Sequence, residues 1–293
     1  MSSIEPIAAA AAGYDLYAVV GNPVAHSKSP FIHARFAEQM GERIEYRPLL
    51  APVDGFEQTA RSFIAVGGRG LNVTVPFKLE AHALAQRLSP RAAAAGAVNT
   101  LRFDADGIFG DNTDGVGLVR DIEVNLGVPL QGARILLLGA GGAARGAVLP
   151  LLERAPHGLT IVNRTAGKAE ALVEQFGAAA REAGCALAGG GPDAVMPQPY
   201  DVIVNATAGS LDAALPECDA RAFGAATLAY DMMYGAEPTV FMRHASAQGA
   251  RVADGLGMLV EQAAESFFVW RGVRPDGTPV LAALRERLQS TRA

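Results

Sequence analysis

The sequence predicts an α/β protein of two domains, the second a Rossmann-like dinucleotide-binding domain. Three observations carry this. The chain has 293 residues, half of them hydrophobic and 19% charged, which is enough to bury two cores. From residue 16 onward, short apolar runs alternate with amphipathic stretches, the pattern of a mostly parallel sheet covered by helices. The run Ala133-Arg-Ile-Leu-Leu-Leu-Gly-Ala-Gly-Gly-Ala-Ala-Arg145 reads as strand, glycine turn and helix start.

The first third opens with Leu16-Tyr-Ala-Val-Val20, apolar and short as a buried parallel strand should be. Ser29-Pro30 pairs a cap residue with proline at the first helical position. Residues 44–50 predict a strand and 54–66 an amphipathic helix. Leu71-Asn-Val-Thr-Val75 is a strand closed by Pro76, and a helix follows over 78–88. Residues 98–103, the turn Asp104-Ala-Asp-Gly107 and Ile108-Phe109 predict a hairpin. A helix over 116–125 leads into the strand before the glycine turn. Next come a strand over 158–162 and a helix over 166–176 capped by Thr165. The later strands are 201–205, 227–231 and 251–253, and helices over 259–270 and 280–288 end the chain.

Composition excludes several classes of function. The net charge is −5 and the basic residues are scattered, which argues against a general nucleic-acid or acidic-membrane partner. Cys185 and Cys218 fit no metal or redox spacing, so a reducing cytoplasm is the simple expectation. The first twelve residues lack a basic stretch and carry Glu5, a poor signal peptide that reads as an extension. The most apolar window, 133–152, holds Arg134, Arg145 and glycine breaks, so no membrane span is expected.

In the turn Gly139-x-Gly141-x-x-Ala144, Gly139 allows the sharp exit from the strand. Gly141 lets a pyrophosphate approach the backbone, and small Ala144 lets the helix pack closely. The helix N-terminus offers free N–H groups to phosphate. The second strand ends in Asn163-Arg164-Thr165, where an NAD enzyme places a carboxylate for the ribose. Arg164 suits a 2′-phosphate, and Lys168 puts a cation in a first helical turn, where a nearby anion would balance it. The pattern favours NADP over NAD; either cation taken singly also reads as an ordinary surface charge.

A hydride carrier needs a group that handles a proton at the substrate oxygen. The polar clusters before residue 115 supply candidates: His26-Ser-Lys-Ser29, Asn72-Val-Thr-Val-Pro-Phe-Lys78, Asn99-Thr100 and Asp111-Asn-Thr-Asp114. Lys78 follows a Pro-Phe corner, and a partly desolvated lysine can act as acid or base. Asp114 is the natural carboxylate to orient it, with Asp111 the competitor. Each has a plainer reading, Lys78 as a solvated first-turn lysine and Asp114 as a turn or cap aspartate before Gly115. No His/Cys cluster has metal-ligand spacing.

Seven segments then occur in order: Gly21-Asn-Pro-Val-Ala-His-Ser-Lys-Ser-Pro30, Asn72-Val-Thr-Val-Pro-Phe-Lys78, Ala95-Gly-Ala-Val-Asn-Thr100, Gly110-Asp-Asn-Thr-Asp-Gly115, Gly139-Ala-Gly-Gly142, Asn163-Arg-Thr165 and Asp254-Gly-Leu-Gly-Met258. Together, over residues 14–285, they resemble the shikimate dehydrogenase family, in its biosynthetic, NADP-using form. The resemblance implies NADPH-dependent, reversible reduction of 3-dehydroshikimate to shikimate, on the route to chorismate and the aromatic amino acids. It implies Lys78 and Asp114 as the catalytic pair. It implies Ser27, Ser29 and Thr74 at the substrate carboxylate, with the Tyr234 phenol, and Asn99 and Gln262 at ring hydroxyls. Gly139, Gly141, Gly142 and Ala143 would cradle the pyrophosphate. Asn163, Arg164 and Lys168 would bind the phosphorylated ribose, and Met232 and Gly255 would border the nicotinamide. A substrate domain of residues 1–113 and 255–293 and an NADP domain of 114–254 are implied, in a monomer or homodimer.

The sequence departs from the family pattern in three places. Ala208-Gly209-Ser210 stands where two serines and a glycine are frequent, Ala144 where serine is frequent, and Lys168 where arginine is frequent. Lys168 keeps the charge but loses the planar fork. Two rival readings are a quinate/shikimate dehydrogenase using NAD and a non-catalytic ligand-sensing homologue. The first predicts an acidic residue near 163–166, and none is there; the second could dispense with Lys78 or Asp114, and both are present.

Overall fold

In a computed structural model, which describes residues 7–207 and 215–290, the chain divides into two compact units. The first comprises Met1–Thr113 and Gln262–Val280, the second Asp114–Glu261 and Leu281–Ala293. Each holds one six-stranded sheet.

The first unit runs β1 (Asp15–Gly21), α1 (Ser29–Met40), β2 (Ile44–Leu50), α2 (Phe56–Ala65), β3 (Gly68–Val73), α3 (Lys78–Leu84), β4 (Arg87–Leu88), α4 (Pro90–Ala95), β5 (Thr100–Asp104) and β6 (Gly107–Asp111). The sheet order is β2-β1-β3-β5-β6-β4. β2, β1 and β3 are parallel, β5 and β6 form the expected hairpin, and β4 adds in parallel to β6. Gly107 closes the hairpin at φ +128°, a region open to glycine. Leu16, Ala18 and Val20 of β1 and Leu71 and Val73 of β3 face a buried cluster with Phe56, Phe63 and Phe77. The rings of Phe56 and Phe77 stack at 5.3 Å. Each such side chain contributes about 1.5–3 kcal/mol by leaving water.

Two elements differ from expectation here. The helix predicted over 78–88 stops at Leu84. The Gln86 backbone N–H donates to the Ile108 carbonyl, and its side-chain oxygen accepts the Ile108 N–H, so the chain leaves the helix to pair with β6. Ser89 then caps α4, accepting from the Ala92 N–H at 3.1 Å. β3 begins three residues early because Gly68 and Gly70 already pair with Leu16 and Tyr17 of β1, at places where no side chain fits. A Cβ on Gly70 would lie 2.5 Å from Trp270 Nε1, which itself donates to the Leu101 carbonyl.

The second unit runs α5 (Asp114–Arg120), a π-helical turn (Asp121–Asn125), β7 (Arg134–Leu138), α6 (Gly142–Leu152), β8 (Gly158–Val162), α7 (Ala166–Glu182), β9 (Ala186–Gly190), β10 (Val202–Asn205), β11 (Leu228–Asp231), α8 (Val240–Ala247) and β12 (Arg251–Asp254). The sheet is wholly parallel, in the order β12-β11-β10-β7-β8-β9. This is the Rossmann order, with the reversal beside β7, where such sheets bind ligands. α7 passes its predicted end at 176 because burial of Phe176 and Ala180 offsets Gly177, which costs a helix about 1 kcal/mol. The edge strand β9, Ala-Leu-Ala-Gly-Gly, and α8, whose cap Thr239 accepts from the Met242 N–H, escape a sequence reading.

The last helices are α9 (Leu256–Arg271) and α10 (Thr278–Ser290). The expected boundary at residue 255 moves: 255–261 and the chain from Leu281 group with the second unit. Polar pairing explains the shift. Glu261 takes Arg120 at 3.1 Å and Asn125 at 3.2 Å, and Asp254 takes Arg285 in a bidentate pair at 2.6 and 2.7 Å.

Candidate active site

In the first unit, neighbouring parallel strands β1 and β3 release the segments that carry Ser27, Ser29, Thr74 and Lys78. The two segments are stitched together. The Thr74 N–H donates to the Val20 carbonyl at 3.0 Å and the Asn22 N–H to the Val75 carbonyl at 3.1 Å. A Cβ on Gly21 would collide with the Thr74 methyl, so glycine permits this approach. Buried Phe77 anchors the corner, and half-buried Lys78 begins α3. The Lys78 carbonyl accepts the Val98 N–H at 2.9 Å, which ties this corner to the strand entry at Asn99.

Ser29 does not act as the cap expected of it. The helix begins at Ser29, and Ser27 Oγ accepts the Ser29 N–H at 3.2 Å. The Ser29 hydroxyl is buried instead, near the Tyr46 phenol, whose pKa burial drives upward. Tyr46 donates in turn to Asn72 Oδ1 at 2.7 Å.

Asn99 and Gln262 meet on Thr113. Asn99 Nδ2 donates to Thr113 Oγ1 at 3.0 Å, and Asn99 Oδ1 accepts the Thr113 N–H at 2.9 Å. The Thr113 hydroxyl lies 3.4 Å from Gln262 Oε1. Thr100, Ser266 and Asn72 complete a buried cluster. The sequence reading assigned no role to Thr113, Ser266 or Tyr46. Ser266 had one usable signal, since it lies four residues after Gln262 and so on the same helical face.

Of the two aspartates, Asp111 is committed elsewhere. It is buried and takes Arg91 at 2.8 and 2.6 Å, the Ser89 hydroxyl, and the Asn112 N–H at 2.7 Å. Arg91 is held further by Glu265 at 2.8 Å. Asp114 is half-buried at the first residue of α5. Just behind it Gly115 has no room for a side chain, because a Cβ would lie 2.7 Å from Pro150 of α6.

The second unit gathers its expected residues at the C-terminal edge of its sheet. Gly139 leaves β7 at φ +108° and donates to the Val162 carbonyl at 2.7 Å. Gly141, Gly142 and Ala143 are exposed, and a Cβ on either glycine would meet nothing within 4 Å. No side chain caps α6, so its first-turn N–H groups remain for a ligand, and buried Ala144 packs beneath. The open turn and donor edge fit a pyrophosphate.

At the next strand tip, the Asn163 side chain donates to the Thr165 carbonyl at 2.9 Å. Thr165 stands at the cap position of α7 but makes no side-chain cap bond. Arg164 and Lys168 are exposed, and among the described residues neither has a carboxylate partner. After β10 and β11, buried Asp231 accepts from Asn205 at 3.2 Å, Thr239 at 2.6 Å and the Met233 N–H at 3.0 Å. Met232 donates its N–H to the Asn205 carbonyl, and a Cβ on Gly255 would collide with the Met232 carbonyl. Tyr234 follows, its phenol pKa raised by burial and by the Asp254 charge. The departure at Ala208-Gly209-Ser210 lies outside the described residues. Among those described, no group of three or more His, Cys, Asp or Glu could hold a metal, and no helix is long and apolar enough to cross a membrane.

Three family models match the chain. They are the shikimate dehydrogenase substrate binding domain over residues 19–101, shikimate / quinate 5-dehydrogenase over 123–211, and the shikimate 5'-dehydrogenase C-terminal domain over 255–285. A shikimate dehydrogenase (NADP(+)) of Cupriavidus pinatubonensis is 58% identical, covering 95% of this chain and 96% of its own. That of Nitrosomonas europaea is 56% identical over 94% of this chain and 98% of its own. Among solved structures, an Ael1 enzyme from Pseudomonas putida is 48% identical with a TM-score of 0.87, covering 92% of this chain and 98% of its own. A shikimate 5-dehydrogenase from Thermus thermophilus, in complex with NADP(H) and shikimate, is 34% identical with a TM-score of 0.79, covering 93% and 99%. On full-length likeness of sequence and fold alike, the chain belongs to the shikimate dehydrogenase family.

Proposed function

We propose that the protein catalyses the NADPH-dependent, reversible reduction of 3-dehydroshikimate to shikimate. One observation carries the reading: the chain is similar over nearly its whole length to NADP-using shikimate dehydrogenases. The open Gly141-Gly142 turn and the two cations at the β8 tip are consistent with the phosphorylated cofactor. When bound, that cofactor supplies the hydride for the ring ketone carbon.

The remaining work falls to side chains. Lys78 Nζ delivers the proton to the ketone oxygen as charge develops there, and recovers it in the reverse direction. Asp114 orients the ammonium and balances its charge. The committed state of Asp111 supports this choice over its neighbour. Ser27, Ser29, Thr74 and the Tyr234 phenol bind the carboxylate, and the amides of Asn99 and Gln262 bind ring hydroxyls. Gly139, Gly141, Gly142 and Ala143 hold the pyrophosphate. Asn163, Arg164 and Lys168 hold the phosphorylated ribose, and Met232 and Gly255 flank the nicotinamide. The protein acts in the cytoplasm as a monomer or homodimer, and its two free cysteines suit that compartment.

Absorbance of reduced nicotinamide tests the reading. Purified protein should reduce NADP with shikimate at a kcat/KM well above that for quinate with NAD. A preference for quinate and NAD would replace it with the rival enzyme, and no turnover with either pair would favour a sensing module.

A further inference from the structure

Ser266 lies fully buried at the centre of the polar cluster in the first unit. Its Oγ is 2.7 Å from Thr100 Oγ1, 2.9 Å from Asn72 Nδ2, 3.2 Å from Thr113 Oγ1 and 3.0 Å from the Gln262 carbonyl. A serine hydroxyl has one proton and two lone pairs, so four neighbours cannot all be satisfied at once. One of them has no choice. Asn72 Oδ1 accepts from the Tyr46 phenol and from His33 Nε2, so its Nδ2 must turn to Ser266. Deep burial keeps His33 neutral, which suits that arrangement.

Whichever way its proton turns, Ser266 holds the hydroxyls of Thr100 and Thr113 in place. Thr100 Oγ1 lies 2.9 Å from Asn99 Oδ1, and Thr113 Oγ1 lies 3.0 Å from Asn99 Nδ2 and 3.4 Å from Gln262 Oε1. One buried hydroxyl thus stands behind both amides, with a single threonine between it and each.

We propose that Ser266 is a positioning residue for recognition of the substrate's ring hydroxyls, acting through Thr100 and Thr113 on the amides of Asn99 and Gln262. The role rests on the reading of Asn99 and Gln262 given above. A buried donor stripped of its partner loses roughly tenfold in an equilibrium.

The test compares kcat/KM for shikimate with that for an analogue lacking one ring hydroxyl, in the parent, S266A and N99A. S266A should raise the KM for shikimate about tenfold and shrink the ratio by a similar factor, leaving the KM for NADP unchanged. T100V, which removes a hydroxyl at similar shape, should do the same and keeps the test open if S266A fails to fold; T100S should restore the parent ratio. A lower melting temperature with an unchanged ratio in S266A and T100V would overturn the positioning role. If N99A also leaves the ratio unchanged, the assignment of Asn99 to a ring hydroxyl falls, and the role of Ser266 with it.

Discussion

Acid should weaken the first unit through His33. The imidazole is 1% exposed, stacked on Tyr46 at 4.3 Å and tilted against Trp270 at 5.2 Å. Nε2 reaches Asn72 Oδ1 at 3.1 Å, and Nδ1 has no partner among the described residues. Among the described residues no carboxylate acts on the ring to hold a second proton, and burial pushes its pKa from the ordinary 6.5 down to about 3. Below pH 6.5 the unfolded chain therefore binds a proton that the folded chain refuses. The associated stability is fully present above pH 6.5 and disappears as the pH falls toward 3. The shift corresponds to a loss of about 2 kcal/mol at pH 5 and about 3 kcal/mol at pH 4. Trp270 is the only tryptophan in the chain and packs in this unit, so its fluorescence in urea titrations reports the relevant transition. His33→Gln keeps an N–H donor for Asn72 and does not titrate in this range. Between pH 7 and pH 5 the parent should lose about 2 kcal/mol more than the variant. Equal losses would show that His33 is solvated, or already protonated, in the folded chain.

Three further outcomes concern the site. Lys78→Ala should lower kcat about 10²- to 10⁴-fold in steady-state assays with little change in NADP affinity, and near-parental kcat would remove its acid–base role. Arg164→Ala should weaken NADP relative to NAD by about 10- to 100-fold, and Lys168→Ala by less, measured as the ratio of the two kcat/KM values; equal loss for both cofactors would mean that neither cation reads the 2′-phosphate. The double variant Ser27→Ala, Ser29→Ala should raise the KM for shikimate and reduce its preference over an analogue without the carboxylate. Were these hydroxyls only structural, the melting temperature would fall by the equivalent of about 1 kcal/mol and the preference would stand.

Much of the frame was legible in the sequence because its signals are local. The runs Leu16–Val20 and Ile135–Leu138 are continuous and apolar, and the turn at Gly139 is set by one positive φ. Elements fixed by distant partners were not legible. β4 exists because Gln86 and its neighbours pair with β6, and β3 starts early because Gly68 and Gly70 pair with Leu16 and Tyr17 of β1, far upstream in the chain. Among the candidate residues, Lys78, Asp114, Asn99 and the glycine turn stood out by residue type and motif. The commitment of Asp111 to Arg91 was invisible, since no spacing marks a pairing across twenty residues of loop and strand. Thr113, Ser266 and Tyr46 were hidden because a hydroxyl acquires direction only from the atoms around it.

Four glycines of the second unit fall into two kinds, with a consequence for any saturation mutagenesis of this chain. A side chain on Gly255 would strike the Met232 carbonyl, and one on Gly257 would strike the Asp121 carboxylate. That carboxylate is itself gripped by Tyr230 at 2.6 Å and Asn125 at 2.9 Å. At Gly141 and Gly142 a methyl would project into open space. A screen scored on growth alone would rank all four as equally intolerant and credit them all to the cofactor. Scored separately for abundance and for turnover, the first two should vanish from the soluble fraction, whereas alanine at the others should leave a well-expressed protein with impaired catalysis.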